Sequence, residues 1–194
     1  MKVICVEGAH GSGKTELLRL FEAAGFSVLD EMFMNLPHHF DGLEAQSMVR
    51  EAAWVTHWME RILRYKHEFP GETVVFADRS PFSAVVYANQ GMRLKDCIQT
   101  QLDELVAYAD IHVHTVLLEV EPDIHWERIT QRLEREPERA RYNESSLDWM
   151  MFVRRIYDDL KRDGTWDMLV QNDVPDGLPA VKQAILDHFH VDAL

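Results

Sequence analysis

Short runs of apolar, mostly β-branched residues alternate with amphipathic stretches along this chain. Residues 2–7 (Lys-Val-Ile-Cys-Val-Glu) are mostly apolar, which is typical of a short buried strand. Residues 16–24 instead place apolar side chains at helical spacing on one face, namely Leu17, Leu20, Phe21 and Ala24. The chain is therefore predicted to open with a strand followed by a helix.

The same alternation continues to the end of the chain. Further strands are predicted at residues 26–30, 72–77, 111–120 and 167–171. Helices are predicted at residues 43–69, 82–90, 94–108, 121–133, 147–162 and 178–189. Strands that alternate with helices indicate an α/β fold with a parallel sheet covered on both faces. The length fits one domain, residues 1–194.

Composition indicates a globular protein and narrows the classes of partner. Apolar residues make up 46% of the chain, and 33 acidic against 20 basic side chains give a net charge of −13. This charge repels nucleic acids and anionic membranes, so neither is expected as a main partner. No apolar run approaches the roughly 18 residues that span a bilayer, and no secretory leader is recognisable. Cys5 and Cys97 indicate no disulfide framework, and a cytoplasmic location is expected.

A complete Gly-x-x-x-x-Gly-Lys-Thr pattern lies between the first predicted strand and the first predicted helix. Glycines allow a loop to wrap closely around a phosphate, so that backbone N–H groups and the helix N-terminus hold the anion. Lys14 is expected to reach the β- and γ-phosphates of a nucleoside triphosphate, and the Thr15 hydroxyl to bind Mg²⁺. The predicted phosphate-binding residues are Gly8, His10, Gly11, Ser12, Gly13, Lys14 and Thr15.

A polar triplet, Asp78-Arg79-Ser80, directly follows the third predicted strand. Because ligands of such sheets bind beyond the carboxyl ends of the strands, the triplet is expected near the phosphate loop. Asp78 could accept Mg²⁺ or its water shell, and the planar guanidinium of Arg79 could bind a phosphate or a carboxylate. The alternative is a helix N-cap, formed by the aspartate or the serine before Pro81.

The pair Asp30-Glu31 ends the second predicted strand, so the two side chains are expected on opposite sides of it. One of them could enter the cleft above the sheet and take or orient the proton of an acceptor hydroxyl. The alternative is a solvated acidic turn.

Residues 132–144, called the arginine segment below, differ in composition from their surroundings. Among several glutamates they contain four arginines: Arg132, Arg135, Arg139 and Arg141. Mobile arginines that close over a transferred phosphoryl group stabilise its charge and exclude water. Arg132 and Arg139 are the predicted contributors. The alternative is a solvated helix with ion pairs such as Arg132–Glu136.

Two tryptophans, Trp54 and Trp58, lie one helical turn apart in the predicted long helix, and Phe33 and Met34 follow the second strand. Such side chains could stack on a nucleobase near a cleft. The alternative is that the tryptophans belong to the core face of the helix.

Together these motifs resemble those of the deoxynucleoside kinase and thymidylate kinase superfamily, over most of the chain. The resembling parts are the opening Val6-Glu7-Gly8 with Gly11-Ser12-Gly13-Lys14, the triplet with Phe82-Ser83, and Pro122 with Glu127-Arg128-Ile129 and the arginines beyond. The resemblance implies the three-layer α/β fold of P-loop kinases, with a parallel five-stranded sheet flanked by helices. It also implies an arginine-rich lid at about residues 132–144 and suggests a homodimer through the long helices.

The resemblance implies ATP-dependent phosphoryl transfer, with Mg²⁺, to the 5′-hydroxyl of a deoxynucleoside. Glu31 lies where deoxynucleoside kinases place the base that activates this hydroxyl, and Arg79 would orient the acceptor. Lys14 and the loop amides would hold the donor phosphates, and Thr15 and Asp78 the Mg²⁺. Arg132 and Arg139 would neutralise the transition state.

Some positions distinguish the two branches of the superfamily. Thymidylate kinases usually carry Arg-Glu-Pro after the second strand, where this chain has Asp30-Glu31-Met32, and an arginine where residues 53–55 are Ala-Trp-Val. Both differences favour a nucleoside acceptor, whereas residues 87–90 and 152–157 look more like thymidylate kinases. The alternatives are a thymidylate kinase-like nucleoside monophosphate kinase, another small-molecule P-loop kinase, and a nucleotide-binding regulatory ATPase.

Overall fold

The computed structural model describes residues 1–31, 40, 42–44, 46–174 and 177–192, except for the side chains of residues 141 and 142. Within these residues the strands are β1 (Lys2–Glu7), β2 (Ser27–Leu29), β3 (Val74–Asp78), β4 (His112–Glu119) and β5 (Met168–Gln171). They form one five-stranded sheet in the order β2-β3-β1-β4-β5, and every neighbouring pair is parallel. The predicted parallel five-stranded sheet is therefore confirmed.

Helices connect the strands and cover both faces of the sheet. In the described part of the chain they are α1 (Lys14–Glu22), α2 (Met48–Glu68), α3 (Ser83–Tyr87), α4 (Lys95–Ala109), α5 (Pro122–Arg135), α6 (Leu147–Arg162) and α7 (Leu178–His188). Two short 3₁₀ helices, Gly91–Leu94 and Pro137–Tyr142, follow α3 and α5. The second of them lies within the arginine segment. No helix among the described residues is long and apolar enough to cross a membrane.

The central strand β1 divides the core into two parts, because alternate side chains of a strand point to opposite faces. Val3 and Cys5 pack into a cluster built mainly from α2, α3, α4 and α6. Ile4 and Val6 pack into a second cluster with α1 and α7, where the ring of Phe21 stacks on that of Phe76. The buried face on each side of the sheet explains the apolar runs of the sequence and confirms the three-layer fold.

Most helix ends lie within two residues of the prediction, and two differ by more than that. Helix α2 starts at Met48 rather than near residue 43, because Ser47 takes the extended conformation of an N-cap residue. Helix α3 ends at Tyr87 rather than at residue 90, and Gln90 has a left-handed backbone with φ of 60°. A side chain at Gly91 would collide with the Val85 carbonyl, so the chain makes a close turn here. Both differences arise at turn or cap residues.

Parallel pairing brings the functional segments to one edge of the sheet. Val6 of β1 is in register with Asp78 of β3, so the phosphate loop and the polar triplet leave the sheet side by side. The backbone N–H of Arg79 donates to the Val6 carbonyl at 3.1 Å, which continues the pairing past the end of β3. This edge carries the candidate site.

Candidate active site

The phosphate loop depends on glycines for both conformation and space. Gly11 and Gly13 have φ of 84° and 98°, in the left-handed region that favours glycine. A Cβ atom on Gly13 would lie 2.6 Å from Asn172 Nδ2, and one on Gly8 would lie 2.7 Å from the Leu118 carbonyl oxygen. The loop is therefore packed tightly against the ends of β4 and β5, and Gly13 leads directly into α1.

Side chains from the end of β5 and from helices α5 and α6 hold this loop in place. Asn172 lies just after β5, and its side-chain Nδ2 donates to the Ser12 carbonyl at 2.8 Å. The backbone carbonyl of Asn172 accepts from Arg128 Nη1 at 2.7 Å. His125 Nε2 hydrogen-bonds to the carbonyl of His10, and Arg154 Nη1 lies 3.2 Å from His125 Nδ1. These contacts hold the loop in shape before any phosphate binds.

The charge of His125 suits this bracing role. Burial lowers the pKa of His125 to about 4, with nearby cations such as Arg154 acting in the same direction. The ring is therefore neutral at physiological pH, so it donates from Nε2 to the loop and accepts from Arg154 at Nδ1. It contributes no charge to the phosphate site.

Lys14 is a buried cation that already contacts the loop. Its Nζ donates to the carbonyl oxygens of Gly8 at 2.8 Å and Ala9 at 3.1 Å. Burial, followed by the neighbouring Arg79, lowers the pKa of Lys14 to about 8. Thr15, the next residue, is exposed at the start of α1. The loop thus presents a lysine whose ammonium can exchange carbonyl partners for phosphate oxygens.

Asp78 at the end of β3 has a carboxylate oxygen available for a ligand. The residue is buried, and within the described residues Oδ1 has no hydrogen-bond partner. Burial raises the pKa of Asp78, while Lys14 and Arg79 oppose that effect. A buried, unpaired carboxylate oxygen fits Mg²⁺ or its water, since Mg²⁺ usually takes one or two carboxylates together with phosphates. The N-cap alternative does not hold for α3, whose N-cap residue is Phe82, although Ser80 Oγ accepts from the Phe82 N–H at 3.2 Å in the turn before the helix.

Glu7, which the sequence analysis did not assign a role, fixes the triplet in place. Its fully buried carboxylate accepts hydrogen bonds from the Ser80 N–H at 2.7 Å, the Ser80 hydroxyl at 2.8 Å, the Ser83 hydroxyl at 2.9 Å and the Tyr157 hydroxyl at 2.9 Å. One side chain therefore joins β1, α3 and α6. An acidic residue at the end of an apolar strand was the available signal.

Arg79 and Glu31 form an ion pair beside Lys14 and Asp78. The Arg79 Nε donates to Glu31 Oε1 at 2.6 Å, and its Nη1 donates to the Tyr87 hydroxyl at 3.2 Å. Burial by itself raises the pKa of Glu31, but Arg79 and Lys14 outweigh it, so the pKa of this carboxyl lies below its ordinary value. Glu31 is therefore ionised at neutral pH and partly open to solvent.

Asp30 points away from this group, although both acidic residues lie beyond β2, which ends at Leu29. Its Oδ1 lies 2.6 Å from Arg61 Nη2 at the surface. Only Glu31 of the acidic pair therefore faces the cleft.

The arginine segment reaches the phosphate loop through Glu144, which Arg139 holds. Arg139 donates to both oxygens of Glu144, at 2.9 and 2.8 Å, and contacts Glu136 at 3.4 Å. Arg132 pairs with Glu136 at 3.3 Å, which is the i,i+4 pair of the alternative hypothesis. Arg135 is exposed, and the side chain of Arg141 lies outside the described residues. Glu144 also approaches the loop, at 3.2 Å from His10 Nδ1.

The two tryptophans belong to the core. Trp54 and Trp58 are buried within the cluster beneath α2, and Trp58 Nε1 donates to the Arg79 carbonyl at 3.3 Å. This hydrogen bond connects Trp58, in the core, to the backbone of the polar triplet. Phe33 and Met34, the other proposed stacking residues, lie outside the described residues.

Glu51 is a second buried carboxylate that sequence analysis did not identify. It occupies the first turn of α2 with 1% of its surface exposed, and within the described residues its Oε1 has no hydrogen-bond partner. Burial raises the pKa of Glu51 to about 8, although Arg50 and Arg79 act in the opposite direction. A glutamate on the same helical face as Trp54 and Trp58 was the signal for it.

The parallel sheet, the glycine loop and the charged ends of β1 and β3 define the fold of a P-loop kinase. The chain belongs to the family described as AAA domain, whose profile matches residues 3–159. No curated protein sequence matches the chain.

Solved structures of one enzyme share the whole fold. Deoxyadenosine kinase from M. mycoides with the products dCMP and a flexible dCDP has a TM-score of 0.63 at 13% identity, covering 99% of this chain and 100% of that chain. The same enzyme with dATP has a TM-score of 0.62 at 13% identity, covering 96% and 98%. With dCTP the TM-score is 0.61 at 12% identity, covering 99% and 100%. The resemblance to the deoxynucleoside kinase superfamily is thereby confirmed for the fold.

Proposed function

We propose that this protein is a single-domain kinase that transfers the γ-phosphoryl group of ATP to the 5′-hydroxyl of a deoxynucleoside. The observation that carries the proposal is the ion pair of Arg79 with Glu31, placed beside Lys14 at the mouth of the phosphate loop. The pair offers an ionised carboxylate next to the position where a terminal phosphate would lie. The fold shared with M. mycoides deoxyadenosine kinase supports the same class of reaction.

On the donor side, the loop amides and Lys14 bind the phosphates of ATP. Lys14 exchanges the carbonyls of Gly8 and Ala9 for phosphate oxygens, and the bound anion restores its full charge by raising its pKa from about 8. Thr15 and Asp78 would hold Mg²⁺, which neutralises charge on the β- and γ-phosphates when it is bound.

On the acceptor side, Glu31 receives the hydroxyl proton. Arg79 holds Glu31 Oε1, so the second carboxylate oxygen can accept a hydrogen bond from the 5′-hydroxyl. The new bond joins the hydroxyl oxygen to the γ-phosphorus, the bond to the bridging oxygen breaks with its electron pair left on ADP, and the proton passes to Glu31. Because the pKa of Glu31 is lowered, this transfer occurs late, as the hydroxyl becomes acidic on bonding to phosphorus.

The arginine segment supplies positive charge to the moving group. Arg139 is linked to the loop through Glu144, and Arg132 lies nearby in the same segment. Arginine side chains at a transferred phosphoryl group stabilise the charge spread over its oxygens. Either arginine could exchange its glutamate partner for a phosphate oxygen.

A nucleoside monophosphate kinase is the nearest alternative. Within the described residues, Glu31 is an ionised carboxylate on the acceptor side, held by the buried Arg79. An acceptor hydroxyl needs this carboxylate, whereas an acceptor phosphate would bring like charge up to it. The ionised Glu31 therefore favours a nucleoside.

The test is the rate of ADP release from Mg·ATP in the presence of each deoxynucleoside, each deoxynucleoside monophosphate, or no acceptor. We expect at least one deoxynucleoside to accelerate release at least tenfold over the rate without acceptor. Acceleration by monophosphates alone would show a monophosphate kinase. Slow release that no acceptor changes would show a regulatory ATPase.

A further inference from the structure

Four cationic side chains from three parts of the fold act on one histidine of the phosphate loop. His10 lies in a variable position of the loop, with 22% of its side chain exposed. Its ring centroid is 5.5 Å from that of Tyr87 on α3. The cations that influence it are Arg79, Lys14, Arg139 and Arg132. Three of these cations are paired with glutamates, Arg79 with Glu31, Arg139 with Glu144 and Arg132 with Glu136, so an incoming phosphate would compete with carboxylates for them.

A buried carboxylate holds the same ring. Glu144 has 1% of its side chain exposed, and its Oε1 lies 3.2 Å from His10 Nδ1. The same carboxylate accepts two hydrogen bonds from Arg139. The carboxylate thus lies at ion-pair distance from Nδ1 and would pair with a protonated ring. Glu144 therefore sits where it favours the imidazolium form of His10.

The charge of the ring depends on what the loop holds. Burial and then the four cations lower the pKa of His10 well below its usual range, so the ring is neutral without a ligand. A triphosphate places several negative charges among the same cations, which reverses the local field. With phosphate on one side and Glu144 on the other, the protonated ring becomes the favoured form.

We propose a specific role for the His10 side chain within the predicted phosphate loop: when a triphosphate occupies the loop, the ring takes one proton from the solvent and binds the terminal phosphate as an imidazolium positioned by Glu144. The inference rests on the proposed binding of ATP by the loop and is independent of the acceptor. Glu144 is a positioning residue, because it acts through His10 and Arg139.

The proposal predicts the direction in which the affinity for ATP changes with pH. The pKa of His10 is higher with bound triphosphate than without it, so binding consumes a proton at any pH between the two values. Affinity for ATP should therefore strengthen as the pH falls through that interval. Lys14, whose pKa is already about 8, is almost fully protonated near pH 6.5 in both states and adds little there.

The test is titration calorimetry of Mg·ATP binding at about pH 6.5, in buffers that differ in ionisation enthalpy, which gives the number of protons taken up. The variants are His10→Asn and Glu144→Gln. His57→Asn is a matched control, since His57 lies 3.5 Å from Glu60 on the surface of α2. Glu60→Gln is the second control, since Glu60 is an exposed glutamate on the same helix.

We expect uptake approaching one proton in the wild-type protein and both controls. His10→Asn should lose most of this uptake and bind ATP about tenfold more weakly, in the range of one charge-assisted hydrogen bond. Glu144→Gln should lose at least half of the uptake. If Glu144→Gln fails to fold, His10→Asn alone decides the question.

Uptake that is unchanged in His10→Asn, or absent from the wild-type protein, would overturn the inference while leaving ATP binding intact. Failure of the wild-type protein to bind any nucleoside triphosphate would instead refute the proposed function of the loop. The two failures are therefore distinguishable in one set of titrations.

Discussion

Two adjacent carboxylates at the end of β2 face different surroundings and should differ sharply in their effect on catalysis. Glu31 pairs with the buried Arg79, whereas Asp30 pairs with Arg61 at the surface. We expect Glu31→Gln to lower kcat by about 10²-fold, in the range for loss of a general base. Asp30→Asn, the matched control, should stay within about twofold. Steady-state turnover with the accelerating deoxynucleoside measures both, and a loss below about threefold for Glu31→Gln would refute the base role.

Glu51 should make the stability of the protein depend on pH. Its pKa rises from 4.5 to about 8 on folding, so the folded state binds the extra proton and stability falls as pH increases through that interval. Glutamine resembles the protonated carboxyl and has no charge to bury, so Glu51→Gln should melt at a higher temperature. The difference should widen from about pH 5.5 to about pH 8, where we expect on the order of 5 °C.

The control for this change is Glu60→Gln, a substitution of an exposed glutamate on the same helix. Thermal denaturation of the three proteins at both pH values provides the measurement. An equal difference for Glu51→Gln at the two pH values would contradict the burial of an ionisable carboxyl at this position.

At the residue scale, the sequence identified polar side chains that follow a strand or belong to a motif. It did not identify the residues with which those side chains form hydrogen bonds and ion pairs. Glu31, Asp78 and Arg79 could be proposed because parallel strands end at one edge of the sheet. Glu7 and Glu144 could be noted only as acidic residues, because their roles depend on contacts that include residues far away in sequence, Tyr157 and His10. Glu7, for example, meets Tyr157 at 2.9 Å across 150 positions. Such long-range pairings follow from packing and leave no local pattern.

At the scale of elements, the phosphate loop requires glycine for packing as well as for conformation. Gly13 and Gly164 both have positive φ, but a side chain would meet Asn172 at Gly13 and nothing within 4 Å at Gly164. Alanine at either position should cost roughly 1 kcal/mol of stability through backbone strain. Only Gly13→Ala should also displace the Asn172 brace and weaken ATP binding, by tenfold or more.

Calorimetric ATP titration of the two glycine variants, with thermal melting to compare their stability, separates the effects. Equal ATP affinity in Gly13→Ala and Gly164→Ala would show that the packed brace does not shape the phosphate site.

Local patterns predicted the type and order of these elements well, because a buried strand and an amphipathic helix each have their own spacing of apolar residues. The order of strands in the sheet, β2-β3-β1-β4-β5, was beyond such reasoning, since it is set by contacts between elements. Helix ends were also less certain. The start of α2 depends on the cap at Ser47, and the end of α3 on the tight turn at Gly91.

At the scale of the whole molecule, one domain of 194 residues should unfold in one transition that bound ATP moves upward. A ligand present at about 100 times its Kd adds about 2.7 kcal/mol. For a protein of this size that corresponds to a rise in Tm of roughly 5–10 °C. Differential scanning calorimetry with and without Mg·ATP measures it, with Lys14→Met as a variant that should lose the shift. Two separate transitions would contradict the single domain.

The central claim, that the Glu31–Arg79 pair and the phosphate loop form one phosphoryl-transfer site, is tested most directly by following the γ-phosphate itself. The purified protein is incubated with Mg·ATP carrying a labelled γ-phosphate and with the deoxynucleoside that accelerates ADP release, and the products are identified by mass spectrometry. The label is predicted on the 5′-oxygen of a deoxynucleoside monophosphate, in a yield equal to the ADP formed. Label found only in inorganic phosphate, with the deoxynucleoside unchanged, would contradict the account.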